Sequence, residues 1–553
     1  MFRIFLAVLI ALTAVGCRRE RLHDSKTPAA TGAPEDILRV HWLGKKGLVG
    51  NTNTAYLLSI WNLPEAVVLE KQILDKLALA PWRVLGRDTN ATLTNTPAAL
   101  LLRPLLEDAL QHETFVSVRR LRESKIDAIL AVRLAPERAA LWRSNLGGLL
   151  QGLPPRCGIR AIPVGDAWRI QSDHCTNYLS LVASQGWTVA RIGPKPVTST
   201  QVARLLPKEP WVQSTGTNDW LQLQVHPGVL ASILNFPAST ACLSRIQFAW
   251  ASDGEYVRTR GDLEFAESLL YRFEPWTIPT NVIRNPLVSF TAVRGFQAYL
   301  ENIRFFKDLG ISTPPNQFYL WSLQGGPMFN YAAVPFPNAT TLMERIGPEL
   351  QTRWTPWFTN HARSSLAYDP QEHALTWGEL PFFSPGFLAV TSNIGDLMLA
   401  RVGSMTPPPT TKPFPEALID ILNQGTNLVY YEWEITEHKL ADLFMIGQGA
   451  RLMLRKAQLP PTAPSIAFLK AATPKLGNVV TTARLTSPSE LRLERKSHLA
   501  LTAMEWHLMA DWFESPLFPL GLHTFTAPTP ATVRMNQNTK SLKAGTNAPA
   551  RRR

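Results

Sequence analysis

The chain is short of the residue patterns that announce catalysis. It has no Gly-x-x-x-x-Gly-Lys-Ser/Thr loop, which excludes the usual phosphate cradle of nucleotide-driven enzymes. It has no Gly-x-Ser-x-Gly elbow, no His-Glu-x-x-His pair, no Cys-x-x-Cys-His and no EF-hand loop. No catalytic set, metal-ligand set or cofactor motif can therefore be assigned. Cysteine is scarce, with four in 553 residues, too few for a disulfide scaffold. Charged residues make up only 18% of the chain. The net charge of +13 is not concentrated on the body, because the stretch 523–553 holds six Lys and Arg and no acid. A nucleic-acid surface needs a basic stripe interleaved with aromatics, and none is present.

What is present starts at the first residue. Arg3 is followed by an apolar run from Ile4 to Leu12, then by Ala14-Val15-Gly16-Cys17. The run is the length of a signal-peptide core and too short to span a bilayer. This segment resembles a bacterial lipoprotein signal with its lipobox. The resemblance implies cleavage before Cys17 and acylation of its thiol, which anchors the mature protein in a membrane facing the periplasm. Arg18, in place of an Asp, resembles outer-membrane rather than inner-membrane sorting. A secreted protein cleaved near the same place and an uncleaved anchor are the alternatives. Residues 1–16 are thus read as signal, 17–38 as a polar tether, and 525–553 as a disordered basic tail able to touch anionic lipid or polysaccharide.

An exported chain meets an oxidising compartment. Cys157 and Cys175 flank a hairpin, Ile159 to Val164 and Ala167 to Gln171, whose open end a disulfide would staple. Pro163 cannot donate a ladder hydrogen bond, so the first of these strands is expected at a sheet edge. Cys242 is left over and is expected as a buried thiol. A metal site at His174 and Cys175 is disfavoured, since neighbouring strand residues point to opposite faces.

Apolar content of 45% supports real cores, and 44 prolines imply many turns. Six segments read as a strand running into a helix: Thr54–Trp61, Thr114–Val118, Trp220–Val225, Leu287–Ala292, Phe387–Thr391 and Asn427–Trp433. Their helices are expected through Lys76, from Lys125, over Val229–Leu234, to Phe306, over Asn393–Met398 and over Thr436–Phe444. Pro64 suits the first turn of the first helix. Alternating runs at Arg245–Trp250 and Glu255–Gly261 are joined through Asp253-Gly254, a strong hairpin signal. A helix over Asp262–Leu270 is expected to follow. Asn478–Ala483 and Ser489–Arg495 form another strand pair. The fold class is α+β, antiparallel sheets with helices packed on one face. The third and sixth segments share the order strand, helix, strands, which suggests a duplicated module. Boundaries are expected between domains 39–200, 211–405 and 416–524.

The nearest candidates for chemistry are weak. Asp369, Glu372 and His373 lack a nucleophile at a known spacing. Glu432 and Glu434 share a strand face, a spacing that glycoside hydrolysis tolerates. A polar outer face, with Tyr431 and Trp433 turned inward, explains them more simply. The aromatic segments Phe318–Trp321, Gly325–Tyr331 and Trp354–Phe358 either line a groove or fill a core, and the core is the commoner use. The layout as a whole resembles uncharacterised envelope lipoproteins of the Planctomycetes and Verrucomicrobia type. That resemblance implies a noncatalytic binding or scaffolding role, with envelope proteins or polysaccharide as partners. An envelope hydrolase and an apolar-ligand carrier are the alternatives; the carrier requires a deep cavity lined by Leu, Phe and Val.

Overall fold

The structure is a computed structural model. It describes residues 35–84, 97–121, 125–153, 159–172, 176–206, 218–229, 242–301, 303, 306–307, 311–325, 329–362, 365–378, 385–402, 413–453 and 459–519. The expectations for Cys17, Cys157, His174, Cys175 and the basic tail lie outside these residues, as does the tether up to residue 34; its last four residues, 35–38, are strand instead. So do segments 207–210 and 403–412, where two of the boundaries were placed.

Twenty strands form one antiparallel sheet. The first ten are β1 (Glu35–Trp42), β2 (Thr114–Arg120), β3 (Ile126–Arg133), β4 (Arg160–Val164), β5 (Ala167–Gln171), β6 (Thr176–Ser184), β7 (Trp187–Gly193), β8 (Asp219–Val225), β9 (Leu243–Asp253) and β10 (Tyr256–Phe265). The second ten are β11 (Leu287–Arg294), β12 (Gln317–Leu323), β13 (Asn330–Pro335), β14 (Ser365–Asp369), β15 (Ala374–Gly378), β16 (Gly386–Ser392), β17 (Gly395–Val402), β18 (Leu428–Ile435), β19 (Asn478–Ser487) and β20 (Glu490–Ser497). Their pairing runs 4-5-6-7-3-2-1-8-9-10, and then 20-19-18-11-12-13-17-16-15-14.

Add ten to each strand number of the first half and the second half results. The two halves thus repeat one strand order in tandem, the topology of a duplicated module. Two irregularities of register recur at matching places. One falls between Asp36 and Leu38 and again between Leu287 and Ser289. The other falls between Asp219 and Leu221 and again between Leu428 and Tyr430. The halves join through their equivalent last strands, β10 and β20. The register there is symmetric about Arg260 opposite Glu494: Val257 faces Ser497 and Leu263 faces Leu491. A pseudo-twofold axis therefore runs through the joint. Gly261 sits beside it because the Phe248 ring occupies the space a Cβ would need.

Among the described residues the helices of five residues or more are α1 (Lys45–Val49), α2 (Ala55–Trp61), α3 (Pro64–Val84), α4 (Pro97–Gln111), α5 (Pro136–Gln151), α6 (Ala339–Ala362), α7 (Glu416–Asn423), α8 (Thr436–Met453), α9 (Pro464–Ala472) and α10 (Ala503–Glu514). Helices α2, α3 and α4 from the first half and α8, α9 and α10 from the second share one core, with Ile60, Leu74, Leu106, Leu469 and Phe513 all buried in it. Helix α7 lies on the opposite sheet face, where Leu418 and Leu422 pack with Phe290 and Tyr431.

Four helix assignments and one strand assignment are corrected. Thr54–Trp61 is helical from Ala55, because Leu57, Ile60 and Trp61 follow a 3–4 spacing and Leu57 and Ile60 are buried. Burial of that face overrides the strand propensity of its residues. The helix expected from Lys125 is β3, whose Ala128–Val132 run is buried on both faces and carries no amphipathic period. Asn393–Met398 turns through Gly395, at φ 106°, into β17. Asp262–Leu270 continues β10 to Phe265, paired with β20. Beyond Val229 the third expected helix lies outside the described residues, and the helix expected up to Phe306 is broken: Gln297–Leu300 forms one turn, Ile303 is not helical, and Phe306 and Lys307 are helical again. Other readings hold. Helix α3 begins at Pro64, α8 follows β18, and β9–β10 and β19–β20 are hairpins. Strand β4 pairs with β5 alone among the described residues, as Pro163 requires of an edge.

Candidate functional site

The sequence candidates do not converge. Asp369 Oδ1 accepts from the backbone N–H groups of Gln371 and Glu372 and so builds the turn between β14 and β15. His373 Nδ1 lies 3.6 Å from Glu344, a pairing across to α6 with no nucleophile in it. Tyr319 and Trp321 are buried, and Trp321 stacks on Tyr331 at 5.4 Å, so this segment is core and not groove. Cys242 is exposed, not buried as expected. Among the described residues no group of three or more His, Cys, Asp or Glu is placed to hold a metal ion.

Glu432 and Glu434 correct the outward-face reading. Tyr431 is buried as expected, but Glu434 is only 1% exposed. Strand β18 lies in mid-sheet with helices on both faces, so alternation along it separates two interiors. Glu434 Oε1 accepts from Ala503 N–H at the start of α10, 2.7 Å away, and from Thr436 at 3.3 Å. Tyr430 donates to Glu432 at 2.8 Å. Burial raises both carboxyls above their usual range, Glu434 to about 7.

Lys439, on the first turns of α8, completes this cluster. Its Nζ donates to Ser289 at 2.8 Å, Ser322 at 3.0 Å and Asn330 at 3.3 Å. Three acceptors match the three protons of an ammonium. Burial nonetheless lowers its pKa, opposed by Glu434, Asp442 and Glu432. The three acceptors and Glu434 form a row across the sheet, Asn330–Ser322–Ser289–Glu434. The matching row in the first half is Ala128–Val118–Leu38–Val225. The fold therefore does not demand polarity at this row; of the two halves the second alone has it. The arrangement fixes α8 and α10 on the sheet, and its hydroxyls are buried under Lys439.

A different feature has room for a ligand. Between the sheet and the shared helical core lies a cavity of about 450 Å³. Its floor is Val40 and Trp42 of β1, Val116 of β2 and Trp220 and Leu221 of β8. Helix α3 supplies one wall through Ala66, Leu69, Glu70, Ile73, Leu74 and Leu77, the 3–4 stripe of an amphipathic helix. Helix α10 of the other half supplies the facing wall through Trp506, Met509 and Phe513. The lining is almost wholly apolar. Glu70 is its one charged member, standing in the stripe where an apolar residue belongs. That misfit was the available sequence signal for the site. The facing wall gave none, since it lies more than four hundred residues away.

No family model matches the chain, and neither does any curated protein. Solved structures titled as crystal forms of TP0453 do match. Form III aligns at 12% identity and a TM-score of 0.22, covering 44% of this chain and 82% of that one. Form I aligns at 11% and 0.21, covering 45% and 82%.

Proposed function

We propose that this protein is a noncatalytic envelope lipoprotein that carries an apolar ligand, an acyl chain, in the cavity between its sheet and its helical layer. The cavity carries the reading. Its volume of about 450 Å³ lies within the usual small-ligand range of about 300–1,000 Å³. An acyl chain gains about 0.8 kcal/mol for each methylene it buries there. A scaffold built on exposed aromatics finds less support, because the most aromatic segment is core. No described helix is long and apolar enough to cross a membrane. In this reading attachment is through Cys17, on the signal pattern that precedes it.

The cavity is tested by Ile73→Trp, which fills it from α3. Affinity for the neutral fluorophore N-phenyl-1-naphthylamine should fall about tenfold or more, with circular dichroism and denaturation midpoint retained. Undiminished binding would exclude the cavity as the carrier site. The anchor is tested by radiolabelled palmitate, which should enter the wild type and not Cys17→Ala. Equal labelling of the two proteins would sink the anchor.

A further inference from the structure

We infer that the cavity selects lipids whose head is a neutral hydrogen-bond donor, such as a fatty alcohol or a monoacylglycerol, over those with a carboxylate head, and that Glu70 makes the choice. This rests on the carrier reading above. Glu70 Oε2 accepts from Trp61 Nε1 at 2.8 Å and from Lys45 Nζ at 3.2 Å. Both bonds fall on the same oxygen. Oε1 has no partner among the described residues, although Glu70 lines the cavity.

Lys45 does not itself line the cavity. Its ammonium lies 5.1 Å from the Trp61 ring centre and is bonded to the far oxygen of Glu70. The pair is sheltered, with side chains 13% and 21% exposed. Of the pair, Glu70 and not Lys45 is the residue that a ligand in the cavity meets. Two other lining residues bear on the head group: Thr114 already donates its hydroxyl proton to the carbonyls of Ala109 at 2.9 Å and His112 at 3.0 Å, and Trp506 Nε1, on the facing wall, is a buried donor without a partner among the described residues, which a hydroxyl oxygen can satisfy. Glu70 Oε1 is the charged acceptor left open among the described residues, and it asks for a donor. A hydroxyl supplies one. A carboxylate head supplies none and sets like charge against like in a weakly screened place. Sites built to bond a donor discriminate strongly, because the mismatched ligand leaves a buried polar group unpaired.

The experiment is displacement of N-phenyl-1-naphthylamine by decanol and by decanoate at neutral pH, in wild type and Glu70→Gln. Decanol should compete at about tenfold lower concentration in the wild type. In the variant the ratio should fall to about threefold or less, since an amide neither repels an anion nor offers only an acceptor. Fluorophore binding by the variant shows that its cavity is intact. Equal competition by both lipids in the wild type, or an unchanged ratio in Glu70→Gln, overturns the selection and leaves the carrier standing. Failure of the wild type to bind fluorophore or either lipid overturns the carrier reading itself.

Discussion

Arg294→Leu is expected to lower folding stability by about 3–5 kcal/mol, the largest effect of any single change considered. Arg294 ends β11 and is 5% exposed. Among the described residues it pairs with no carboxylate. Instead its guanidinium donates to four backbone carbonyls, those of Leu428 at 2.8 Å, Glu274 at 2.7 Å, Gly425 at 2.9 Å and Thr426 at 2.9 Å. Its flat face lies over Trp276, 4.6 Å from the ring centre. One side chain thus fastens the turn before β18 and the segment before β11 to the middle of the second half. Leucine fills part of the volume and strands four acceptors that water reaches poorly. Chemical denaturation measures the cost. A loss below about 1 kcal/mol would mean that those carbonyls are rehydrated without strain.

The second large effect is a dependence on pH set by Glu434. Burial raises its pKa from 4.5 to about 7 in the folded protein. The folded state then holds this proton more tightly than the unfolded chain does. Its contribution to stability is fully present below about pH 4.5 and disappears as pH rises through about 7. The shift corresponds to about 3 kcal/mol. Asp442, raised to about 6 by burial, acts in the same direction. Comparison with Glu434→Gln isolates the one group. Glutamine keeps an acceptor for Ala503 N–H and does not titrate. Between pH 4.5 and 8 the wild type should lose about 3 kcal/mol more than the variant does. Parallel stability profiles for the two would refute the assignment.

The parts of the fold that depend on neighbouring residues were legible. Asp253-Gly254 announced the β9–β10 hairpin, Pro64 marked the start of α3, and Pro163 put β4 at an edge. The repeated strand–helix–strand order hinted at the duplication. The errors share a cause. Thr54–Trp61, Lys125–Arg133 and Glu432–Glu434 were judged on propensity or alternation, and each has its exposure set by elements far off in the chain. Glu434 meets Ala503 and Ser289, neither of them near it in sequence. The cavity is the extreme case, since walls from α3 and α10 enclose it only after the two halves share a helical core. Single residues such as Glu70 and Lys439 could be flagged as polar misfits in apolar periods. Their partners could not be named before the fold was known.

The joint at β10 and β20 has a consequence for the behaviour of the protein in a crowded compartment. Two separate ten-stranded sheets would present four open borders, each a template for pairing with another chain. Fusing them back to back hides the two that fall on ten-residue and eight-residue strands. Among the described residues the borders left are β4 and β14, of five residues each, and β4 carries a proline that interrupts its row of donors. The duplication thus doubles the sheet while leaving its exposed seams short, a form of protection against runaway polymerisation.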